Sequence, residues 1–319
     1  MNNSENLTGL KFKRMRTYKV YIIILLLLFL PAAENSRADV VQIPPMQDNT
    51  LYDDEAGSIS NGAGWYFFVG RTGTSAGGNR RRGVMAFDIE SIIPAGATIQ
   101  SVSLTVTLSK SPNLTARTIS LRKLLESWGE GTSNAADPEG AGALSTLNDA
   151  TWVHRFYSST SWSTPGGSFS PTTSGSISAG GVGTYTFNST AQMIADVQSW
   201  LDDPLTNFGW LFLGNESILS TARRFNTREN SNVASRPVLT VSYLPACCLG
   251  IKGDIDGNGT TADILDLTYM VNDLFRGGPN SPCPEEADLN NNGIPSTIED
   301  LTYLINDIFR GGPDSPACP

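Results

Sequence analysis

The chain has 319 residues, of which 17% are charged and 31 are glycine, and its formal net charge is −9. Sparse charge and abundant glycine fit a β-rich, turn-rich extracellular protein better than a helical bundle. The acidic balance argues against nucleic acid or an anionic membrane surface as partner.

At the N-terminus, Lys11, Lys13, Arg14, Arg16 and Lys19 precede VYIIILLLLFLPAA, an uncharged run from Val20 to Ala33. That run is too short for a helix that crosses a bilayer, which takes about 20 residues. Ser36-Arg37-Ala38 then places small residues at the spacing that a signal peptidase prefers. Residues 1–38 are therefore expected to be a secretory signal cut after Ala38, leaving no membrane span. A retained anchor is the alternative. Residues 1–38 carry six Lys/Arg and two Asp/Glu, so their removal takes the net charge from −9 to −13.

Residues 39–244 form the first expected domain. Short alternating apolar runs are broken there by Gly, Ser, Asn and Pro. TIQSVSLTVTL (98–108) puts Ile99, Val102, Leu104, Val106 and Leu108 largely on one face, which predicts a half-buried strand. GTYTF (183–187), GWLFLG (209–214) and RPVLTVSY (236–243) read in the same way. Many short strands over about 200 residues predict an antiparallel sandwich. One helix is expected at STAQMIADVQSWL (189–201), capped by Ser189 or Thr190, with Met193, Ile194, Val197, Trp200 and Leu201 at helical spacing.

Residues 245–319 form the second, smaller domain, and it is an internal repeat. Asp254–Pro282 aligns with Asp288–Pro316 at a constant offset of 34, with 17 of 29 positions identical. Each unit reads as a loop, then DLTY, then a helix ending in FRGGP. Leu267, Met270, Val271, Leu274 and Phe275 make an apolar stripe. Leu301, Leu304, Ile305, Ile308 and Phe309 repeat it, so the two helices are expected to pack together.

The loops carry the chemistry. Asp254, Asp256 and Asn258 alternate, Gly259 permits a sharp turn, and the carbonyl of Thr260 follows. In the second unit the same places hold Asp288, Asn290, Asn292, Gly293 and the carbonyl of Ile294. Calcium takes six to eight oxygens, and an EF-hand loop closes with an acidic residue at its twelfth position. Here the twelfth residue from Asp254 is Leu265. Asp266 and Asp300 lie one residue later in both units, so each loop is read as one residue longer. Asp263 and Glu299 are further candidates for the closing ligand. Residues 250–319 hold 12 acidic and three basic residues. Two carboxylates about 4 Å apart repel by roughly 1 kcal/mol in water and roughly 4 kcal/mol at an intermediate dielectric. Calcium is the expected cofactor, with its binding coupled to folding.

Cys247, Cys248, Cys283 and Cys318 all lie in this second domain, and the rest of the chain has no cysteine. In an exported chain an even count predicts disulfides. Adjacent cysteines rarely bridge each other, so Cys247 and Cys248 are expected to pair separately with Cys283 and Cys318. A zinc site is the alternative, but no histidine lies nearby and there is no CxxC.

GDIDGNG, DLTYMVNDLF, ADLNNNG and DLTYLINDIF together resemble the type I dockerin repeats of bacterial secreted proteins. The resemblance covers nearly all of the second domain. It implies an EF-hand-like calcium-binding module that attaches to a cohesin-like or cell-surface protein. The extra loop residue and the flanking cysteines depart from that pattern.

The larger domain carries ISNGAGWYFFVGRT (59–72), RRGVMAFDIESIIPAGATIQSV (81–102), ESWGEGT (126–132), ATWVHRFY (150–157), FGWLFLG (208–214) and RRFNTREN…RPVLTVSY (223–243). This ordered series resembles the DNRLRE domain family over nearly all of residues 45–243. The resemblance implies a mainly β, jelly-roll-like sandwich without catalytic machinery, some relatives being carbohydrate-binding modules. Trp65, Trp128, Trp152, Trp162, Trp200 and Trp210 are available for stacking on sugar rings. Trp200, Trp210 and Trp128 read better as core. Trp162, in the polar stretch SSTSWSTPGGS, is the best exposed candidate, with Tyr157 a weaker one. Arg80, Arg81 and Arg82 are available to pair with an acidic polysaccharide, or else form a solvated strand edge.

A glycosidase needs two carboxylates about 5–10 Å apart. Glu126, Glu130, Asp137, Glu139 and Asp202-Asp203 each have a simple surface reading instead. His154 is the only histidine, and with Arg155 and Tyr157 it offers a lyase-like proton-transfer set, although the strand-like run TWVHRFY reads better as side chains of a partly buried sheet. No H-E-x-x-H occurs. The expectation is a secreted, non-catalytic, modular protein with polysaccharide as a partner of the sandwich and calcium in the tail. A purely structural surface protein is the rival.

Overall fold

The computed structural model describes residues 38–248 and 250–318. The expected leader, apart from Ala38, lies outside the described residues. Among these residues no helix is long and apolar enough to cross a membrane.

The described strands all precede the tail: β1 (Asp39–Ile43), β2 (Pro45–Tyr52), β3 (Ile59–Ser60), β4 (Tyr66–Arg71), β5 (Arg80–Phe87), β6 (Thr98–Lys110), β7 (Arg117–Leu124), β8 (Ala143–Leu144), β9 (His154–Phe156), β10 (Thr160–Ser161), β11 (Phe169–Ala179), β12 (Gly183–Phe187), β13 (Trp210–Leu213), β14 (Arg223–Asn226) and β15 (Val238–Leu244). Eleven of them make one large antiparallel sheet in the order β1-β15-β6-β14-β4-β5-β13-β7-β11, with β12 added on β6 and β2 on β5. The sheet curls, an arrangement consistent with a β-sandwich. Strand β4 makes the corner: Tyr66–Val69 pair with β14, while Gly70 and Arg71 pair with β5.

Strand β6 shows how sequence sets register. Val102, Leu104, Val106 and Leu108 alternate inward, but Ile99 lies three residues before Val102 and is also buried. The pairing with β15 passes from Ser101–Ser242 to Ile99–Tyr243, so Gln100 is the extra residue of a bulge. The bulge resets the two-residue period, and both apolar sets face the core.

The core holds Phe67, Phe87, Leu104, Phe212 and Phe225, among others. Helix α1 (Ala191–Asp202) covers one end of it. Thr190 caps α1, its hydroxyl accepting from the amide of Met193, and Met193, Val197 and Trp200 are fully buried. Trp200 meets Trp210 edge to face at 4.7 Å between centroids. The Trp210 indole donates to the buried carboxylate of Asp196 at 2.8 Å.

In the tail, α2 (Ile264–Arg276) and α3 (Ile298–Arg310) share a small core of Ile255, Met270, Ala287, Leu289, Leu301 and Leu304. Both helices start with a capping box, Asp263 with Asp266 and Thr297 with Asp300, and both end on a left-handed glycine, Gly277 and Gly311. The apolar stripes are not buried to their ends. Phe275 and Phe309, expected inside, are each 60% exposed. The tail core reaches Leu274 and Ile308, which pack against it, but not the phenylalanine that follows each.

Two disulfides, Cys247–Cys283 and Cys248–Cys318, tie the linker to the end of each repeat. The chain end also returns to its start: Ile251 bridges Ala317, and the amide of Lys252 donates to the carbonyl of Pro316 at 2.8 Å.

Candidate functional site

The two tail loops follow one backbone path. Positive φ occurs at Gly257 and Asn291 (75° and 57°), at Gly259 and Gly293 (87° and 81°), and at Ala262 and Ser296 (52° and 54°), each pair being offset by 34. Glycine at the middle pair meets the left-handed requirement without a side-chain penalty. The side chains repeat as well. Asp254 accepts from the Gly259 amide at 2.8 Å, and Asp288 from Gly293 at 3.1 Å. Asn258 accepts from Thr260, and Asn292 from Ile294, both at 2.8 Å.

In the first loop, oxygens of Asp254, Asp256 and Asp266 lie within 4.8 Å of one another. Asp266 is fully buried and already accepts from the amides of Ile255 (2.8 Å), Asp256 (3.2 Å) and Asp263 (2.9 Å). Burial holds its carboxyl above the ordinary carboxylate range. Asp254 differs. Its Oδ2 accepts from Gly259, but its Oδ1 is buried without a hydrogen-bond partner. An orphaned, buried carboxylate oxygen beside two further carboxylates fits a hard cation, since every donor on offer is oxygen. Asp263 is committed elsewhere, its side chain accepting from the amides of Leu265 and Asp266 as the helix cap.

The second loop is built alike but is less acidic. Asp300 accepts from Asn290 and from both donors of Thr297. Glu299 lies 3.4 Å from the side-chain amides of Asn290 and Asn292, so it faces the loop in a way that the first repeat does not match. Lys252, only 3% exposed, sends its ammonium to the carbonyl of Asp288 at 2.8 Å and stands 3.7 Å from the Asp288 carboxylate. A fixed positive charge therefore already lies against this loop. Nothing in the spacing of the repeat signals it, because position 252 precedes the aligned segment.

On the sandwich, the structure overturns one expectation outright. Trp162 is 4% exposed and lies in a second core cluster with Trp128 and Trp152, its indole donating to the carbonyl of Thr151 at 3.0 Å. The polar residues around it belong to the short β9–β10 hairpin and the turn after it, from which Trp162 points inward. Of the six tryptophans only Trp65 is exposed, at 47%. Tyr157 is half-buried and sits edge-on to His154 at 5.3 Å between centroids.

The arginine run is no solvated edge. Arg80 pairs with Asp53 at 2.7 Å, and Arg82 pairs with Glu216 at 2.7 Å while lying over the ring of Trp152. Arg81 lies over Tyr52, and its Nε is buried without a partner. Burial lowers the Arg81 pKa. Arg81 helps to line a cavity of about 550 Å³, together with Lys110, Arg224, Phe68, Pro112 and Pro138. Glu139 also lines it, but its carboxylate is held by the amides of Trp65 and Tyr66 and by the side chain of Asn61. The remaining lining is apolar walls with Arg81, Lys110 and Arg224, the last standing 3.5 Å from the Asp137 carboxylate.

Two of the carboxylates weighed as catalytic groups are tied to neighbouring side chains. Glu126 accepts from Ser163, and Glu130 pairs with Arg228. His154 shares a contact with the Thr151 hydroxyl at 3.4 Å, and Arg155 donates to Ser127. Beside Glu130, oxygens of Asp48 and Glu229 complete a second carboxylate cluster, drawn from segments far apart in sequence. Burial, then the neighbouring Glu229, raises the Asp48 carboxyl well above its ordinary value. The Glu229 carboxyl is pushed up to about 7, chiefly by burial.

Comparison with protein-family models and with curated proteins finds no match to this chain.

Proposed function

We propose that the protein is exported and non-catalytic, with a tail that folds around calcium and attaches the chain to a cohesin-like or other cell-surface partner. The observation that carries this reading is the convergence of Asp254, Asp256 and Asp266 with one buried carboxylate oxygen of Asp254 left unpartnered. Asp254, Asp256, Asn258, the Thr260 carbonyl and Asp266 would hold the first ion. Asp288, Asn290, Asn292, the Ile294 carbonyl and either Asp300 or Glu299 would hold the second. The ion would supply the positive charge that lets several carboxylates share one short loop. The test is a calorimetric calcium titration of the full chain against Asp254→Asn, followed by capture of envelope proteins with and without chelator. Equal heats in the two chains, or capture that ignores the chelator, would remove the attachment role.

The sandwich is the sugar-binding part in this reading. With Trp162 buried, the support moves to the cavity beside Arg81, Lys110 and Arg224, where basic groups stand on apolar walls. That combination suits an acidic polysaccharide, with a carboxylate for the cations and a sugar face for the walls. Binding on a glycan array that is lost in Lys110→Ala and kept in Trp65→Ala supports the cavity. A chain that binds no glycan yet purifies with the envelope is instead a structural surface protein.

A further inference from the structure

The sandwich contains a carboxylate cluster that its own residues do not satisfy. Asp48 comes from β2, Glu130 from the loop after β7, and Glu229 from the segment after β14. One oxygen from each lies within 4.8 Å of the others. One cation, Arg228, stands against them. Its Nε donates to Glu130 at 2.8 Å and stands 2.9 Å from Glu229, its Nη2 pairs with Glu130, and its backbone amide donates to Asp48 Oδ2 at 2.9 Å. Asp48 donates its own amide to Glu130 at 2.8 Å.

These bonds leave two oxygens over. Asp48 Oδ1 and Glu229 Oε2 are both buried and have no hydrogen-bond partner, and Asp48 as a whole is 0% exposed. An ion-pair network that closed on itself would use those atoms, because a buried acceptor without a donor costs about 1–3 kcal/mol. With all three carboxylates ionised, one guanidinium leaves two negative charges, which one divalent ion neutralises. All donors are oxygen, with no histidine or cysteine in the cluster, so the ion is hard.

We infer that Asp48, Glu130 and Glu229 hold a hard divalent cation, calcium, in the sandwich. It is independent of the tail loops. The ion ties together three segments that lie far apart along the chain, at positions 48, 130 and 229.

The test uses the full chain carrying Asp254→Asn, Asp256→Asn and Asp288→Asn, which strips the tail loops of their leading carboxylates. After calcium loading and gel filtration, elemental analysis should find one calcium per chain. Adding Glu229→Gln or Asp48→Asn should remove it, and calcium should raise the melting temperature only where Glu229 and Asp48 are intact. The near-ultraviolet signal of the buried tryptophans reports folding of each variant, and the calcium content of the tail-stripped parent decides if neither variant folds. A parent that holds no calcium, as expected if the cluster is settled by protons, overturns the inference. So does retention of the ion in Glu229→Gln. Failure of the tail reading is read separately, from Asp254→Asn in an otherwise unaltered chain.

Discussion

Lys252 and Glu286 occupy equivalent places in the two tail repeats, since 286 is 252 plus the offset of 34, yet they carry opposite charge and each reaches into the other repeat's loop. Lys252 donates to the carbonyl of Asp288 at 2.8 Å, while Glu286 accepts from the amides of Gly253 at 2.8 Å and Asp254 at 3.2 Å. The exchange welds two loops that neither helix could hold alone. It also makes them unequal, because only the second loop has a buried ammonium against it.

Lys252→Met separates the two effects. The variant leaves the Asp288 carbonyl and the Asn291 side chain without their donor, so the chelated chain should lose roughly 3 kcal/mol. Calcium affinity of the second loop should rise by about tenfold or more, since a repelling charge has gone. Thermal melts in chelator and calorimetry in calcium give the two numbers. A variant that loses stability and affinity together would show that Lys252 shapes the loop instead of competing with the ion.

Removal of metal and removal of Asp266 should differ. Asp266 binds three backbone amides without any ion, so Asp266→Ala should disrupt the loop and the start of α2 in chelator as well as in calcium. Asp254→Asn keeps its turn and should match the parent in chelator while losing the gain from calcium. Circular dichroism at both conditions distinguishes them, and identical behaviour of the two variants would deny Asp254 a metal-specific role.

Much of this was legible in the sequence, and the misses have physical reasons. The apolar alternation of β6, the stripe and cap of α1, and the offset of the tail repeats are local patterns, and each marks its element. The cysteine pattern gave bridges from Cys247 and Cys248 to Cys283 and Cys318, but which pairs with which came only from the fold. Long-range partners are not encoded in spacing. Arg82 and Glu216 pair across more than a third of the chain, and nothing near either one announces the other. Trp162 failed for a related cause: its polar neighbours describe the outside of a hairpin, while its own side chain joins a buried cluster with Leu51, Val84 and Leu211, all distant in sequence.

Reducing the disulfides should release the tail and spare the sandwich. Cys247–Cys283 and Cys248–Cys318 span 36 and 70 residues, so each restricts the unfolded tail by roughly 4 kcal/mol on the chain-entropy account. The sandwich core holds no cysteine. Reductant with chelator should therefore abolish the helical signal of α2 and α3 and leave the buried tryptophan signal intact. Tryptophan signal lost in step with the helices would mean that the tail supports the sandwich.

Trp162→Ala should behave as a core truncation. Its ring fills the cluster of Trp128, Trp152 and Leu211, so a cost of about 3–5 kcal/mol is expected. Lys110→Ala, at the exposed mouth of the cavity, should leave the melt within about 0.5 kcal/mol of the parent. Glycan affinity of the folded chains should show the reverse order, Lys110→Ala weak and Trp162→Ala near the parent. Weak binding by a fully folded Trp162→Ala would return the sugar site to the hairpin.

Asp149 gives the sandwich a pH dependence of definite sign. It is fully buried beneath the hairpin, and its carboxylate accepts from the Thr146 amide at 2.5 Å and the Thr146 hydroxyl at 3.1 Å. Burial outweighs those bonds and holds its carboxyl above the ordinary value of 3.8. The folded chain thus binds this proton more tightly than the unfolded chain. The stabilisation is complete below the unfolded value of roughly 3.9 and is lost as pH rises through the folded one. Asp149→Asn keeps an acceptor for Thr146 but cannot titrate. Urea melts from pH 4 to 7 at fixed calcium should show the parent losing stability relative to Asp149→Asn as pH climbs. Parallel curves would mean that the hydrogen bonds, not burial, govern this carboxyl.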